Sequence, residues 1–461
     1  MKKLLLLTCL IFNLQLIFSQ NFEVKTIKNS GDNDKRINLV ILGDGYLATE
    51  LSQFESDATA FMNDMFSQEP YASYENYFNV HIIKVISAES GASHPGTATD
   101  ESTYSVPNAT VNNYFGTTYD SYNVHRLLYT ENQATISTVL AHNFPMFDQA
   151  LILVNSPYYG GSGGAYPITS TGEDAQEIAI HELGHSFADL KDEYYPGDLL
   201  AAEAINMTQE TDATLIKWKN WIGTNNIGIY PYATSGTAAT WNRPHQSCKM
   251  RYLGYDFCSV CKEGIIEKIH SLVSPLDSYS PTETTFSTST FPINFEINTI
   301  ETLPTNTLQS TWTLNTTNFE NNTNTVSLQE SDLNDGTNNL SVSIHDATPL
   351  INIDGHETIH TSTVTWIIDK TLGLQEVEVN DFNISMFPNP SKNVVHFKLE
   401  NLLNKNITIK IVGLDGKQLK TINLNNNQNT QIDISTLSTG MYITNFYDGH
   451  VLIASKKLIK N

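Results

Sequence analysis

The chain has 461 residues, enough for several folded domains with large apolar cores. Its 49 acidic residues outnumber 26 basic ones, giving a formal net charge of −23. That balance argues against nucleic acid or an anionic membrane surface as a partner.

Lys2 and Lys3 precede an apolar run from Leu4 to Phe12, and a second short apolar stretch ends at Ser19-Gln20. Residues 1–20 therefore read as a secretory signal peptide. Asn13 and Gln15 interrupt the run well short of the roughly 20 apolar residues a membrane span needs, and no later stretch is suited to one, so the chain is expected not to be transmembrane. Beyond Cys9 the cysteines are Cys248, Cys258 and Cys261. For an exported chain the expectation is one disulfide with a thiol left over, the pairing left open. The alternative is a small structural zinc site from His245-x-x-Cys248 and Cys258-x-x-Cys261.

Next, residues 36–43 (RINLVILG) predict a buried strand ending in a Gly43-Asp44-Gly45 turn. Leu51, Phe54, Ala58, Phe61, Met62 and Met65 fall at helical spacing within Thr49–Phe66, and Phe78–Ile86 and Ala150–Asn155 read as further strands. Strands alternating with helices predict an α/β domain with a mixed or mostly parallel sheet. A glycine-rich loop, Tyr158 to Gly164, follows the third strand; it reads either as the lining of a cleft or as a flexible connector.

The motif His181-Glu182-Leu183-Gly184-His185 comes next. Histidines four apart on a helix share a face and can both hold one Zn²⁺, while Glu182 lies where its carboxylate can take a proton from water activated by the metal. A helix is supported by Ser170-Thr171-Gly172-Glu173, which fits a capping box, and by Ala175, Ile178, Ala179, Leu183 and Ala188 at helical spacing. A catalytic zinc has three protein ligands and one open position. A helix continuing past His185 would carry Asp192 about 10 Å further along the axis, so the chain must turn near Ala188–Leu190. Asp192 is the expected third ligand, with Glu193 the first alternative. Tyr194, Tyr252 and Tyr255 read as candidate donors to an oxyanion.

After a helical-looking segment at Cys261–Val273, Ser, Thr and Asn dominate. The alternating runs 291–297, 308–314, 339–344 and 361–368 predict an immunoglobulin-like β-sandwich over 283–370 with Trp312 in its core. An acidic linker over 371–383 leads to a last all-β module, 384–461.

That module resembles the C-terminal sorting domain of the type IX secretion system. The matching features are Phe387-Pro388-Asn389-Pro390, Asp415-Gly416, the 433–442 segment (DISTLSTGMY) and the basic tail. The resemblance implies handling by that export machinery and a secreted or outer-surface location. Residues 36–261 resemble the IgA peptidase family of secreted zinc metallopeptidases. The shared stretches are residues 42–46 (LGDGY), Phe78-Asn79-Val80 with residues 87–91 (SAESG), Val154-Asn155 with the Tyr159–Gly164 loop, residues 181–194 (HELGHSFADLKDEY), Cys248-Lys249-Met250 and residues 257–261 (FCSVC). Many relatives carry a β-domain before the catalytic one, and it is expected to be absent here; the resemblance also implies a Met-turn beneath the metal, at Met250.

The sequence thus predicts a multidomain chain: an α/β, metzincin-like zinc peptidase domain over 21–275, followed by two all-β sandwich modules. The expected function is a secreted zinc endopeptidase acting on a protein or peptide substrate, with Glu182 as general base and His181, His185 and Asp192 as zinc ligands. The competing readings are a surface adhesion protein with a structural zinc, and another zinc amidohydrolase.

Overall fold

The computed structural model describes residues 21–101, 106–195, 197–370, 383–400, 406–425 and 429–461. The expected signal peptide, 1–20, lies outside the described residues, as does nearly all of the expected linker.

The N-terminal region is built on a six-stranded sheet. Its strands are β1 (Glu23–Lys28), β2 (Ile37–Asp44), β3 (Phe78–Lys84), β4 (Gln149–Val154), β5 (Gly161–Ser162) and β6 (Ile168–Thr169), in the order β1-β3-β2-β4-β6-β5. The four central strands are parallel, with Leu39 opposite Val80 and Ile41 opposite Leu151. The two edge strands, β1 and β5, run antiparallel to their neighbours.

All eight residues of β2 are buried, which a strand can sustain only when both faces are covered. Its side chains divide by the two-residue period. Leu39 and Ile41 join the core that contains Phe54, Ala58 and Phe61 of α1 (Leu51–Met65) together with Ala179 and Leu183 of α3 (Ala175–Ala188). Val40 and Leu42 join the opposite core, with Ile136, Val139 and Leu140 of α2 (Gln133–Asn143). Phe54, Ala58, Phe61 and Met65 form the buried stripe of α1, and burying each large side chain is worth about 1.5–3 kcal/mol.

A long connection with one short hairpin, β7 (Tyr230–Pro231) and β8 (Asn242–Arg243), leads to α4 (Ser259–Leu272), which packs against α3. The chain then becomes all-β. Strands β9 (Leu276–Ser280), β10 (Thr285–Thr288), β11 (Ile293–Thr299), β12 (Leu308–Leu314), β13 (Thr317–Asn321), β14 (Thr325–Leu328), β15 (Gly336–Asp346) and β16 (Ser362–Lys370) form a five-stranded and a three-stranded sheet. Between β15 and β16 lies the single-turn α5 (His356–Ile359). Trp312 and Trp366 are fully buried and stacked, with ring centroids 5.8 Å apart.

The described residues after the linker carry a three-stranded and a four-stranded sheet around one apolar cluster that includes Val395, Phe397, Ile409, Ile411 and Phe446. The chain divides into two compact units, and Asp369–Asn461 forms most of the second. The N-terminal region and β9 to β16 belong almost wholly to the first.

Candidate active site

Helix α3 presents the candidate residues, and both of its ends depart from ordinary helix chemistry. The expected capping box at Ser170–Glu173 does not form. The helix begins later, behind Asp174 in the left-handed region (φ 57°), with no side-chain cap. The hydroxyl of Thr171 donates instead to the Ser156 carbonyl, and that of Ser170 accepts from the Gly172 N–H, so both are spent on the preceding loop. At the other end Asp189 adopts φ 55° and its N–H is shared between the Gly184 and His185 carbonyls. A left-handed residue after the last turn reverses the chain, and Asp tolerates that conformation better than most residues.

The reversal brings the following segment back across the helix face. Asp192 Oδ1 lies 3.1 Å from His181 Nε2 and 3.2 Å from His185 Nε2. Each imidazole is oriented from behind: His181 Nδ1 donates to the Lys249 carbonyl at 2.9 Å, and His185 Nδ1 to the Leu190 carbonyl at 2.6 Å. Two Nε2 atoms and one carboxylate oxygen therefore converge. Donors about 2.0–2.1 Å from a tetrahedral zinc stand about 3.3 Å apart, close to the spacings here, so the donor set fits such an ion. Burial pulls the His185 imidazolium down, but the hydrogen bond and charge of Asp192 outweigh it and raise its pKa to about 9. Burial also pulls Asp192 up, yet the two histidines hold it well below 3.8.

Glu182 faces the same space. Burial raises its carboxyl above 4.5 against the opposing pull of His181 and His185, which suits a group that must accept a proton. A cleft of about 470 Å³ opens over it, lined by Arg126, Tyr159, Gly161, Ile178, Tyr194 and Tyr252 among others. The glycine-rich loop comes close as well: a Cβ on Gly163 would stand 2.5 Å from Glu182 Oε2. Of the three candidate tyrosines, Tyr194 and Tyr252 line the cleft and Tyr255 does not. Burial, followed by the charge of Asp192, raises the Tyr194 hydroxyl to about 12, so it stays a donor at neutral pH. Arg126 carried no sequence signal, because it lies 55 residues before the motif on an irregular segment.

Met250 is fully buried under α3. A Cβ on Gly184 would meet its Sδ at 2.7 Å and Phe257 Cε1 at 3.3 Å, so the motif's glycine is required by that contact. Gly184→Ala is expected to destabilise the fold by about 1–3 kcal/mol through overpacking, despite the better helix propensity of alanine. Denaturant unfolding reads this directly, and an unchanged midpoint would mean that Met250 can step aside.

The expected disulfide is not formed. Cys248, Cys258 and Cys261 are all free and buried, with Cys248 Sγ and Cys261 Sγ 3.7 Å apart against about 2.05 Å for a bond. His245 does not complete the group either, since its Nδ1 accepts from the Ser247 N–H. Glu193 does. It is fully buried on the opposite side of its segment from Asp192, and its Oε1 accepts from Asn206 Nδ2 and from Cys261 Sγ, both at 3.2 Å.

A second grouping that the sequence reading missed is His94, Glu101, Asp120 and His125. There His125 Nδ1 lies 2.8 Å from Glu101 Oε1, and His94 Nε2 lies 2.9 Å from the same oxygen. These four come from loops with no fixed spacing, which leaves nothing for a motif to register.

Residues 25–237 match the family model of the IgA Peptidase M64, and residues 385–461 match that of the Secretion system C-terminal sorting domain. The second match marks a secreted or cell-surface protein, and among the described residues no helix is long and apolar enough to cross a membrane. No curated protein matches the chain. Among solved structures, the dimeric latent PorU from Porphyromonas gingivalis is 12% identical at a TM-score of 0.15, over 40% of this chain and 20% of that one. A Bacteroides ovatus glucan-utilisation protein, SGBP-B, is likewise 12% identical at 0.14, over 40% and 44%. The chain thus spans a fifth and under half of their lengths, and likenesses at these scores say nothing about its activity.

Proposed function

We propose that this chain, whose N-terminal region belongs to the IgA Peptidase M64 family, is a secreted zinc endopeptidase of metzincin-like architecture. The observation that carries the reading is the convergence of His181 Nε2, His185 Nε2 and Asp192 Oδ1 at one point beside Glu182 and beneath an open cleft.

His181, His185 and Asp192 would hold the ion. When bound it supplies Lewis acidity, polarising the scissile carbonyl and acidifying water. The remaining chemistry belongs to the side chains. Glu182 takes the proton from the attacking water and later delivers it to the leaving amine. Tyr194 and Arg126 offer O–H and N–H donors from the cleft wall toward the developing oxyanion. The Lys249 and Leu190 carbonyls orient the two histidines, and Met250 packs against Gly184 of the same helix. No covalent acyl intermediate is required. The type IX machinery is the partner during export, and the sorting module is expected to be dispensable for cleavage.

The test is cleavage of a denatured-protein digest before and after chelation. Chelator is expected to abolish peptide-bond hydrolysis and one equivalent of Zn²⁺ to restore it. Full cleavage by protein shown to be metal-free would end the proposal. Asp192→Ala is expected to bind zinc more weakly than wild type by well over the 10–100-fold typical of changes behind the ligands, measured by competition with a chromogenic chelator.

A further inference from the structure

Behind the candidate zinc site lies a group of side chains that hydrolysis does not use. Glu193, Cys248, Cys258 and Cys261 point at one another, and all four are buried. Cys258 occupies the residue just before α4 and Cys261 lies in its first turn, while Cys248 and Glu193 arrive from two separate loops. Glu193 is 0% exposed, and its Oε2 has no hydrogen-bond partner, although a buried carboxylate oxygen left unmatched is costly.

We propose that these four residues form a second metal site, closed and structural, that takes a zinc-class divalent ion. The separation of the sulfurs favours it. Two thiolates each about 2.3 Å from a tetrahedral zinc stand about 3.8 Å apart, against 3.7 Å between Cys248 Sγ and Cys261 Sγ here. A disulfide would require those sulfurs to close by more than 1.5 Å, and it would leave Cys258 and the free oxygen of Glu193 without a purpose. The Cys258 N–H already donates to Cys248 Sγ at 3.3 Å, the kind of bond that supports a thiolate ligand. Three thiolates and a carboxylate leave excess negative charge around the ion, and the N-terminus of a 14-residue helix is suited to offset it.

The placement gives the site a role. Asp192 and Glu193 are adjacent and face opposite ways, one toward the histidines and one toward the thiols. Cys248 likewise adjoins Lys249, whose carbonyl orients His181. The Glu193 N–H donates to the Met250 carbonyl at 2.7 Å, joining the two segments. An ion held by Glu193 and Cys248 therefore fixes the two loops that set the position of Asp192 and the orientation of His181. The four are positioning residues for the first site.

Cobalt distinguishes the two sites, because only thiolate ligands give a strong near-ultraviolet charge-transfer band. The full chain, purified without added oxidant and loaded with Co²⁺, is expected to bind two equivalents and to show that band. His185→Ala should lose one equivalent and keep the band. Cys258→Ser should weaken the band strongly and, because the second ion positions Asp192 and His181, should also lower the affinity of the first site for Co²⁺. A first-site affinity equal to wild type would remove the positioning role. If that variant does not fold, alkylation of the wild-type zinc protein answers the question alone: all three thiols should resist iodoacetamide until chelator is added. A Cys248–Cys261 disulfide found by mass spectrometry, or a cobalt-loaded wild type without the thiolate band, overturns the second site. Neither result touches the peptidase reading, which fails instead if His185→Ala leaves metal-dependent cleavage intact.

Discussion

Glutamine at position 182 is expected to leave the metal content of the chain unchanged and to lower kcat by about 10²–10⁴-fold, the range supplied by a positioned general base. The substitution keeps the shape of the side chain and removes only its ability to hold a proton. Glu182 does not share in the contacts between Asp192 and the two histidines, so that geometry should survive. The accompanying control is Gly163→Ala. Its new methyl would intrude 2.5 Å from Glu182 Oε2, so one of the two must shift. Displacing a catalytic group by about 1 Å costs up to about 10²-fold, and here the loss should appear in kcat with the base chemically intact. Retention of more than about a tenth of wild-type turnover by Glu182→Gln, at equal metal content, would remove Glu182 from the proton transfer.

How far the sequence could be read depended on whether the information was periodic. Strand β2 announces itself because residues 39–42, covered on both faces, form an unbroken aliphatic run, and α1 because its apolar positions repeat at helical spacing. The histidine pair is legible for the same reason, being two candidate ligands at one helical repeat. Asp192 required a different kind of inference. Helix geometry says a straight continuation cannot bring Asp192 to the histidines, so a reversal is required, but no sequence signal marks Asp189 as the residue that adopts the left-handed conformation. The capping box failed because Ser and Thr hydroxyls bond whichever backbone group is nearest, and at Ser170 and Thr171 those belong to the preceding loop. The cysteines were misread because counting thiols assumes that they pair with one another. Their fourth neighbour, Glu193, lies 55 residues before Cys248 and has no spacing rule to reveal it.

Asp346 belongs to the same illegible class, and its removal is expected to be the most damaging single change to stability. It ends β15 and is buried, 3% exposed as a residue. Four donors surround it: Tyr74 Oη at 2.5 Å, His270 Nε2 at 3.0 Å, Thr307 Oγ1 at 2.5 Å and the Thr348 N–H at 3.0 Å. Tyr74 comes from the connection before β3 and His270 from α4, so one carboxylate ties the α/β region to the strands that follow it. Asp346→Ala leaves buried Tyr74 and His270 without their acceptor, for which about 3–5 kcal/mol is the expected cost. At about 2–4 °C per kcal/mol in a body of 150–250 residues, and less in a larger one, the melting temperature should fall by roughly 5–12 °C. The pH dependence gives a second readout. Burial pulls the Asp346 carboxyl up, but the bonds from His270, Thr307 and Tyr74 pull it down further, so its folded pKa lies below 3.8. Its contribution is therefore complete above about pH 4 and is lost as pH falls through the folded value. Wild type and Asp346→Ala should differ by their full amount at pH 7 and draw together below pH 4. A melting gap that stays constant from pH 7 to pH 3 would show that the variant suffers from lost packing rather than from the lost charge.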